Sequence, residues 1–229
     1  MKKAKLFTIL FFCFSFSFAQ EMKKEKNILK GLSIEFGVGY GTLTHKYDDK
    51  TTLDNDTTNR RKEFWTQPTL RISYKILTCS INSYHFDLSP FVGYYIFGGK
   101  SETAPNGYKD ILYFESIEFG VKTNISQNSH FEISPSIKAQ YIFKTEQKYY
   151  GFYNQPDNLP REWITQNNDD NFKSFAMSVG LNTKYKYKKL TFGLEGWYGI
   201  SNLSTIGNDS IGILKVREDN YRILVGYEF

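Results

Sequence analysis

Apolar and polar residues alternate along almost the whole chain. Leu32, Ile34, Phe36, Val38 and Tyr40 interleave with Ser33, Glu35, Gly37 and Gly39, the period of a strand with one apolar and one polar face. The pattern returns seven times. Leu70, Ile72, Tyr74 and Ile76 oppose Arg71, Ser73 and Lys75. Phe86, Leu88, Pro90, Val92, Tyr94 and Ile96 share a face, although Phe91, Tyr95 and Phe97 make the other face apolar too. Ile117, Phe119 and Val121 oppose Glu118, Gly120 and Lys122. The run from Phe131 to Phe143 sets its odd positions against Glu132, Ser134, Ser136, Lys138 and Gln140. Phe175, Met177, Val179, Leu181 and Tyr185 oppose Ser174, Ser178, Gly180 and Asn182. Leu190, Phe192, Leu194, Tyr198 and Ile200 oppose Thr191, Gly193, Glu195 and Trp197. Last, Tyr221, Ile223, Val225, Tyr227 and Phe229 oppose Asn220, Arg222, Leu224, Gly226 and Glu228. No window carries a helical period. The pattern predicts an all-β fold of eight antiparallel strands.

Eight such strands could form a soluble sandwich or a lipocalin-like barrel. The connections predict otherwise. They run long, short, long, short: 45–63, 78–85, 99–110, 126–130, 146–171, 186–189 and 201–216. Short periplasmic turns alternating with long external loops are the habit of an up-and-down transmembrane β-barrel, and an even strand number puts both termini on the periplasmic side. Pro90 and Pro135 fall near strand starts, where a missing donor is tolerated, and Pro68 is expected to mark a bulge near the outer rim.

The ends of the chain fit this expectation. Lys2, Lys3 and Lys5 precede an apolar run, Leu6–Phe18, too short to span a bilayer. Ser17-Phe18-Ala19 is a small-x-small cleavage site. Residues 1–19 therefore read as a signal peptide, residues 20–30 as a polar periplasmic leader and residues 31–229 as the barrel. Cys13 does not sit in a lipobox, because Phe12 is bulky. Tyr221, Tyr227 and Phe229, on the lipid face of the closing strand, resemble the terminal signal by which outer-membrane barrels are recognised for assembly.

Composition changes the picture little. Removing three lysines takes the formal charge from +5 to about +2, so nothing points to nucleic acid. Only Cys79 follows the signal peptide, which excludes an internal disulfide. An aromatic share of 17% beside a mean hydropathy of −0.47 suits aromatic girdles around a polar interior.

His85-Phe-Asp-Leu-Ser-Pro90 recurs as His130-Phe-Glu-Ile-Ser-Pro135, and Val-Gly-Tyr recurs at 38–40, 92–94 and 225–227. With these repeats and the terminal Phe229, the chain from about Gly31 resembles the porin-like outer-membrane β-barrel family of Bacteroidota, related in architecture to the OmpA membrane domain. The resemblance implies a bacterial outer-membrane location and carries no catalytic motif. No peptidoglycan-binding domain is expected to follow.

The inward face carries Glu35, Arg71, Glu118, Lys138, Glu195 and Arg222 near mid-strand. They predict three pairs: Glu35 with Arg71, Glu118 with Lys138, Glu195 with Arg222. Glu118 and Lys138 are equidistant from residue 128 and should lie opposite. Such charges must be paired or solvated. A packed, ion-paired interior is expected, since eight strands leave room for little else; the alternative is a narrow porin in which the pairs act as a gate. A lipid-modifying enzyme is a remote third reading. His85 and His130 sit by periplasmic turns, His45 alone lies near the outer rim, and no His-x-Ser triplet exists, so no enzyme is expected. Asp54-Asn55-Asp56 lacks the spacing of a calcium loop, and no metal or cofactor is expected. The external loops are the expected working surface, above all 146–171 with Tyr149, Tyr150, Phe152, Tyr153 and Trp163. Expected partners are outer-membrane lipid and lipopolysaccharide, the barrel assembly machinery and an extracellular ligand of unknown nature, around a monomer.

Overall fold

A computed structural model describes residues 30–47, 65–103, 108–127, 130–150, 162–167, 169–205 and 213–229. The predicted signal peptide, most of the leader, Asp54–Asp56, Phe152 and Tyr153 lie outside these residues. The ten strands are β1 (Leu32–Tyr47), β2 (Trp65–Tyr74), β3 (Leu77–Ile81), β4 (Tyr84–Thr103), β5 (Tyr108–Ser126), β6 (Phe131–Tyr150), β7 (Trp163–Asn167), β8 (Phe175–Tyr187), β9 (Leu190–Gly199) and β10 (Ile213–Glu228). All ladders are antiparallel. Eight strands close a ring in sequence order: β1, β2, β4, β5, β6, β8, β9, β10 and back to β1. Gly31–Glu228 is one compact unit, an up-and-down eight-stranded barrel.

The two further strands are extensions of the ring. β3 continues β2 and pairs only with β4; β7 pairs only with β6. The predicted short connection 78–85 is thus a hairpin, turning at Asn82-Ser83 with Asn82 at φ 54°, a left-handed conformation that asparagine tolerates well. Pro90 explains the gap between β2 and β3. The β2–β4 ladder ends at Ser73↔Phe91, and the β3–β4 ladder resumes one residue out of step at Leu77↔Leu88. Tyr74 would face Pro90, which has no N–H to give. At the other end Pro68 pairs with Val38 in unbroken register, one residue beyond the β2–β4 ladder. The bulge expected there is absent, because no β4 ladder crosses it. A bulge occurs instead between Glu115 and Ser116, where Phe143 is the extra residue on β6. It leaves both Phe143 and Lys144 off the inward face and returns Thr145 to it.

The predicted loops 99–110, 146–171 and 201–216 are shorter than expected. β4 runs to Thr103 and β5 starts at Tyr108; β6 runs to Tyr150; β10 starts at Ile213. The described strand ends that flank them gather at one end. The start of β1, the end of β10 and the turns at 127–130 and 188–189 gather at the other, as Ser33↔Glu228, Ile125↔Ile133 and Tyr187↔Leu190 require.

The barrel is inverted relative to a soluble domain. Its exposed large side chains are apolar, among them Phe36, Ile72, Ile137, Leu181, Leu194 and Ile223, and its buried ones are heavily polar. Two aromatic belts bound the apolar band. Tyr40, Tyr94, Tyr141, Phe175, Tyr198 and Tyr221 lie toward the long connections, and Phe131, Tyr185, Tyr187 and Tyr227 toward the turns. Phe131 and Tyr141 are ten residues apart on β6. At ~3.4 Å per residue and a tilt of ~40°, that separates the belts by roughly 25 Å.

Inward glycines make room for large interior side chains. A Cβ on Gly120 would lie 2.6 Å from the Phe91 ring, and one on Gly180 would lie 2.5 Å from the Trp197 ring. Gly180→Val is therefore expected to destabilise the barrel by about 1–3 kcal/mol, measured by urea unfolding in detergent. Gly196→Ala, on the outward face, is expected to stay within about 0.5 kcal/mol.

Candidate functional site

The interior charges form one connected cluster rather than three separate pairs. Glu118 is its centre. Its Oε1 accepts from Arg71 Nε (3.1 Å) and Nη2 (3.0 Å) and from Arg222 Nη1 (3.0 Å). Its Oε2 accepts from Arg222 Nη2 (3.0 Å) and Lys138 Nζ (3.4 Å). Arg71 is shared: Nη1 and Nη2 also donate to the two oxygens of Glu195, each at 2.8 Å. Forked, planar donors let one guanidinium serve two carboxylates. Asn182 Nδ2 adds a bond to Glu195 at 3.3 Å.

All six charges read from the sequence are buried and lie in this cluster. The predicted pairs Glu35–Arg71 and Glu195–Arg222 are directly opposite across their ladders, with N···O separations of 3.5 and 3.7 Å. Glu118 and Lys138 do meet, but not as cross-strand opposites. Glu118 faces Gln140, and Lys138 faces Gly120. The hairpin is centred one residue later than residue 128, which moves the register by two. Lys138 reaches Glu118 along the diagonal, within range of a long side chain.

Three members escaped the sequence reading. Lys122 donates to Glu35 at 3.1 Å, and Lys184 donates to the same carboxylate. Glu218 accepts from Tyr95 Oη (2.8 Å), Lys138 (3.3 Å) and Ser178 (3.3 Å). All three sit on inward faces, so alternation alone could have found them; Glu218 alone lies beyond the span over which alternation was read. Among the described residues, the buried charged side chains are five carboxylates (Glu35, Glu118, Glu132, Glu195, Glu218) and five cations (Arg71, Lys122, Lys138, Lys184, Arg222). The balance is what a space too narrow for bulk water requires.

Aromatic rings complete the shell. The Arg222 guanidinium lies 3.6 Å from the Tyr95 ring centroid, the Arg71 guanidinium 4.4 Å from that of Phe91, and Lys138 Nζ 4.5 Å from that of Trp197. These are cation–π contacts in a desolvated setting. Toward the turns, the repeated hexapeptide finds its purpose. β5 lies between the two copies, and Asn124 on β5 donates to Ser89 (3.0 Å) and accepts from Ser134 (2.8 Å).

Toward the long connections the interior becomes apolar. Leu43, Tyr95, Phe97, Leu112, Phe114, Ile142, Ala176, Leu203 and Val216 form one buried cluster, with Phe172 packed against it. Tyr95, Phe97 and Phe114 stack at 5.3 and 4.8 Å, and Phe172 meets Phe114 edge-on at 5.1 Å. Two connecting segments hold this plug in place. Lys173 N donates to Leu203 O, Thr205 N to Asn171 O, and Leu203 N to Val216 O. Alternation could not foretell this cap, because its residues belong to segments that lack it.

The expected aromatic loop is partly a strand pair. Tyr149 and Tyr150 end β6, Trp163 opens β7, and the Tyr150 and Trp163 rings lie 5.4 Å apart. Below them, Lys144 bonds Glu115 and Glu146, and Tyr113 donates to Glu146. Those two bonds hold the Glu146 carboxyl below its ordinary range. Burial, with the donation to Glu146, pushes the Tyr113 phenol up to about 12.

No family model and no curated protein matches the chain. Solved structures overlap it in part. Neisserial surface protein A is 11% identical, over 87% of this chain and 98% of its own, with a TM-score of 0.44. Ail, the attachment invasion locus protein of Yersinia pestis, is 13% identical over 87% and 99%, with a TM-score of 0.41. The outer membrane protease OmpT of Escherichia coli is 13% identical over 90% and 99%, with a TM-score of 0.38.

Glu118→Gln leaves Arg71, Arg222 and Lys138 short of their shared counter-charge. It is expected to destabilise the barrel by about 3–5 kcal/mol, measured by urea unfolding. Glu115→Gln, whose Lys144 partner is 40% exposed, is expected to cost under about 1 kcal/mol.

Proposed function

We propose that the chain is an integral protein of the bacterial outer membrane, a closed barrel with a structural or surface-display role. The observation that carries this reading is the inversion: an apolar, belted exterior around an interior of ion pairs. In water such a surface would be an aggregation hazard; in a bilayer it matches the hydrocarbon, and the closed ring leaves no edge with unpaired backbone. The end holding Gly31 and Glu228 faces the periplasm. The connections at the other end, and the Tyr150–Trp163 surface on the β6–β7 extension, are the outward-facing parts available to a ligand.

Two features of the interior argue for a barrel that does not conduct. The ion cluster fills the middle, and the stacked Tyr95–Phe97–Phe114 plug fills the outer mouth. A gate would need both to move.

The refolded protein in planar bilayers is expected to give no discrete conductance steps. In a Cys79→Ser background, single cysteines placed at residues 155–160 are expected to react with an impermeant maleimide on intact cells, while one at Gln127 is not. Steady conductance would favour the porin reading, and the reverse labelling would invert the orientation.

A further inference from the structure

The outer wall carries a groove of about 740 Å3, lined in part by Leu181, Gly196, Tyr198, Arg217, Asp219 and Tyr221. It crosses β8, β9 and β10, where Leu181 faces Gly196 and Gly196 faces Tyr221. Gly196 opens it. A Cβ there would meet nothing closer than the Tyr221 ring at 3.6 Å, an ordinary contact. Gly180, in the neighbouring strand, is held small by the Trp197 ring; Gly196 is under no such pressure. Its missing side chain leaves a notch in an otherwise continuous apolar wall. Leu181 and Tyr221 on either side are 53% and 62% exposed, so no described side chain fills it.

One end of the groove is charged. Arg217 lies near the long-connection end of β10, with its guanidinium 4.1 Å from the Tyr198 ring centroid. It donates to Tyr198 Oη and reaches Asp219 at 3.4 Å. Its side chain is 34% exposed through the Nη groups, while its Nε is buried and meets no acceptor among the described residues. An apolar trench thus ends at a half-exposed guanidinium, the geometry of an acidic headgroup above an acyl chain.

We propose that this groove seats one acyl chain of a lipid A molecule, with a lipid A phosphate on Arg217. This rests on the membrane reading and orientation above, which put Arg217 at the outer leaflet. A guanidinium pairs bidentately with phosphate; here the second N–H of each Nη is the donor, since the first bonds Tyr198 or Asp219. The apolar trench gives little preference over any other lipid tail, so selectivity over phosphatidylglycerol comes from the more highly charged monoester phosphate of lipid A at Arg217, and fit from the space over Gly196.

The test uses the refolded protein in detergent, titrated with diphosphoryl lipid A or with phosphatidylglycerol and read by native mass spectrometry. One lipid A is expected to be retained, about tenfold better than phosphatidylglycerol. Gly196→Leu, which fills the notch, and Arg217→Gln are each expected to lower that retention about tenfold. Ile137→Ala, outward on a strand that does not line the groove, is expected to leave it unchanged. Equal retention of the two lipids, or retention indifferent to both groove substitutions, overturns the assignment. Folding of each variant is read from its heat-dependent gel mobility; if Gly196→Leu does not fold, Arg217→Gln decides alone. Insertion into phosphatidylcholine vesicles is scored separately. Failure to insert sinks the membrane reading itself, whereas insertion without lipid A preference sinks only the groove.

Discussion

Charge neutrality inside a narrow, closed space is the constraint on which the rest depends. An eight-stranded ring leaves an interior that side chains must fill, and a carboxylate placed there without a counter-charge is too costly to keep. The chain meets the constraint with five buried carboxylates and five buried cations among the described residues. Because Arg71 serves both Glu118 and Glu195, and Glu118 serves Arg71, Arg222 and Lys138, members from β2, β5, β6, β9 and β10 are tied through one carboxylate or its direct partners. A slip of one residue in any of those ladders would turn its charge to the outer wall. The cluster therefore fixes register around the ring as well as filling it.

The interior is divided along the barrel axis. Hydroxyls and an amide lie toward the turns, the ion cluster occupies the middle, and a stacked aromatic plug closes the end with the long connections. Tyr95 joins the last two layers: its ring meets Arg222 and Phe97, and its hydroxyl donates to Glu218. Plug and cluster cannot shift independently, which is the physical basis for the proposal that the barrel is closed. The cap formed by residues 169–174 and 200–205 adds hydrogen bonds across the mouth that a conducting pore would have to lose.

Most of the architecture was legible in alternation. The strand faces read for Glu35, Arg71, Lys138, Glu195 and Arg222 are the faces observed, and Phe91, Tyr95 and Phe97, ambiguous in sequence, prove to be inward. What alternation cannot supply is registration. A period of two fixes the face of Glu118 but leaves its partner free by two residues, and the turn after Ser126 has no composition that sets its centre. Strand ends were also illegible: above the Phe143 bulge the parity changes, and β6 continues to Tyr150 through residues that read as loop. Pro90 carried more information than its position near a strand start suggested, since it interrupts the neighbouring strand rather than its own. The groove at Gly196 depends on what three adjacent strands place side by side, and no single segment records that.

The inverted arrangement is tested most directly by scanning β10. Single nitroxide labels at residues 221–227, in a Cys79→Ser protein reconstituted into vesicles, report collision with oxygen dissolved in the bilayer and with a water-soluble nickel chelate. The expected result is a two-residue period, with Tyr221, Ile223, Val225 and Tyr227 open to oxygen and closed to nickel, and Arg222, Leu224 and Gly226 closed to both. Access of nickel to Ile223 and Val225 would contradict a lipid-facing wall, and access of nickel to Arg222 and Leu224 would contradict a filled interior.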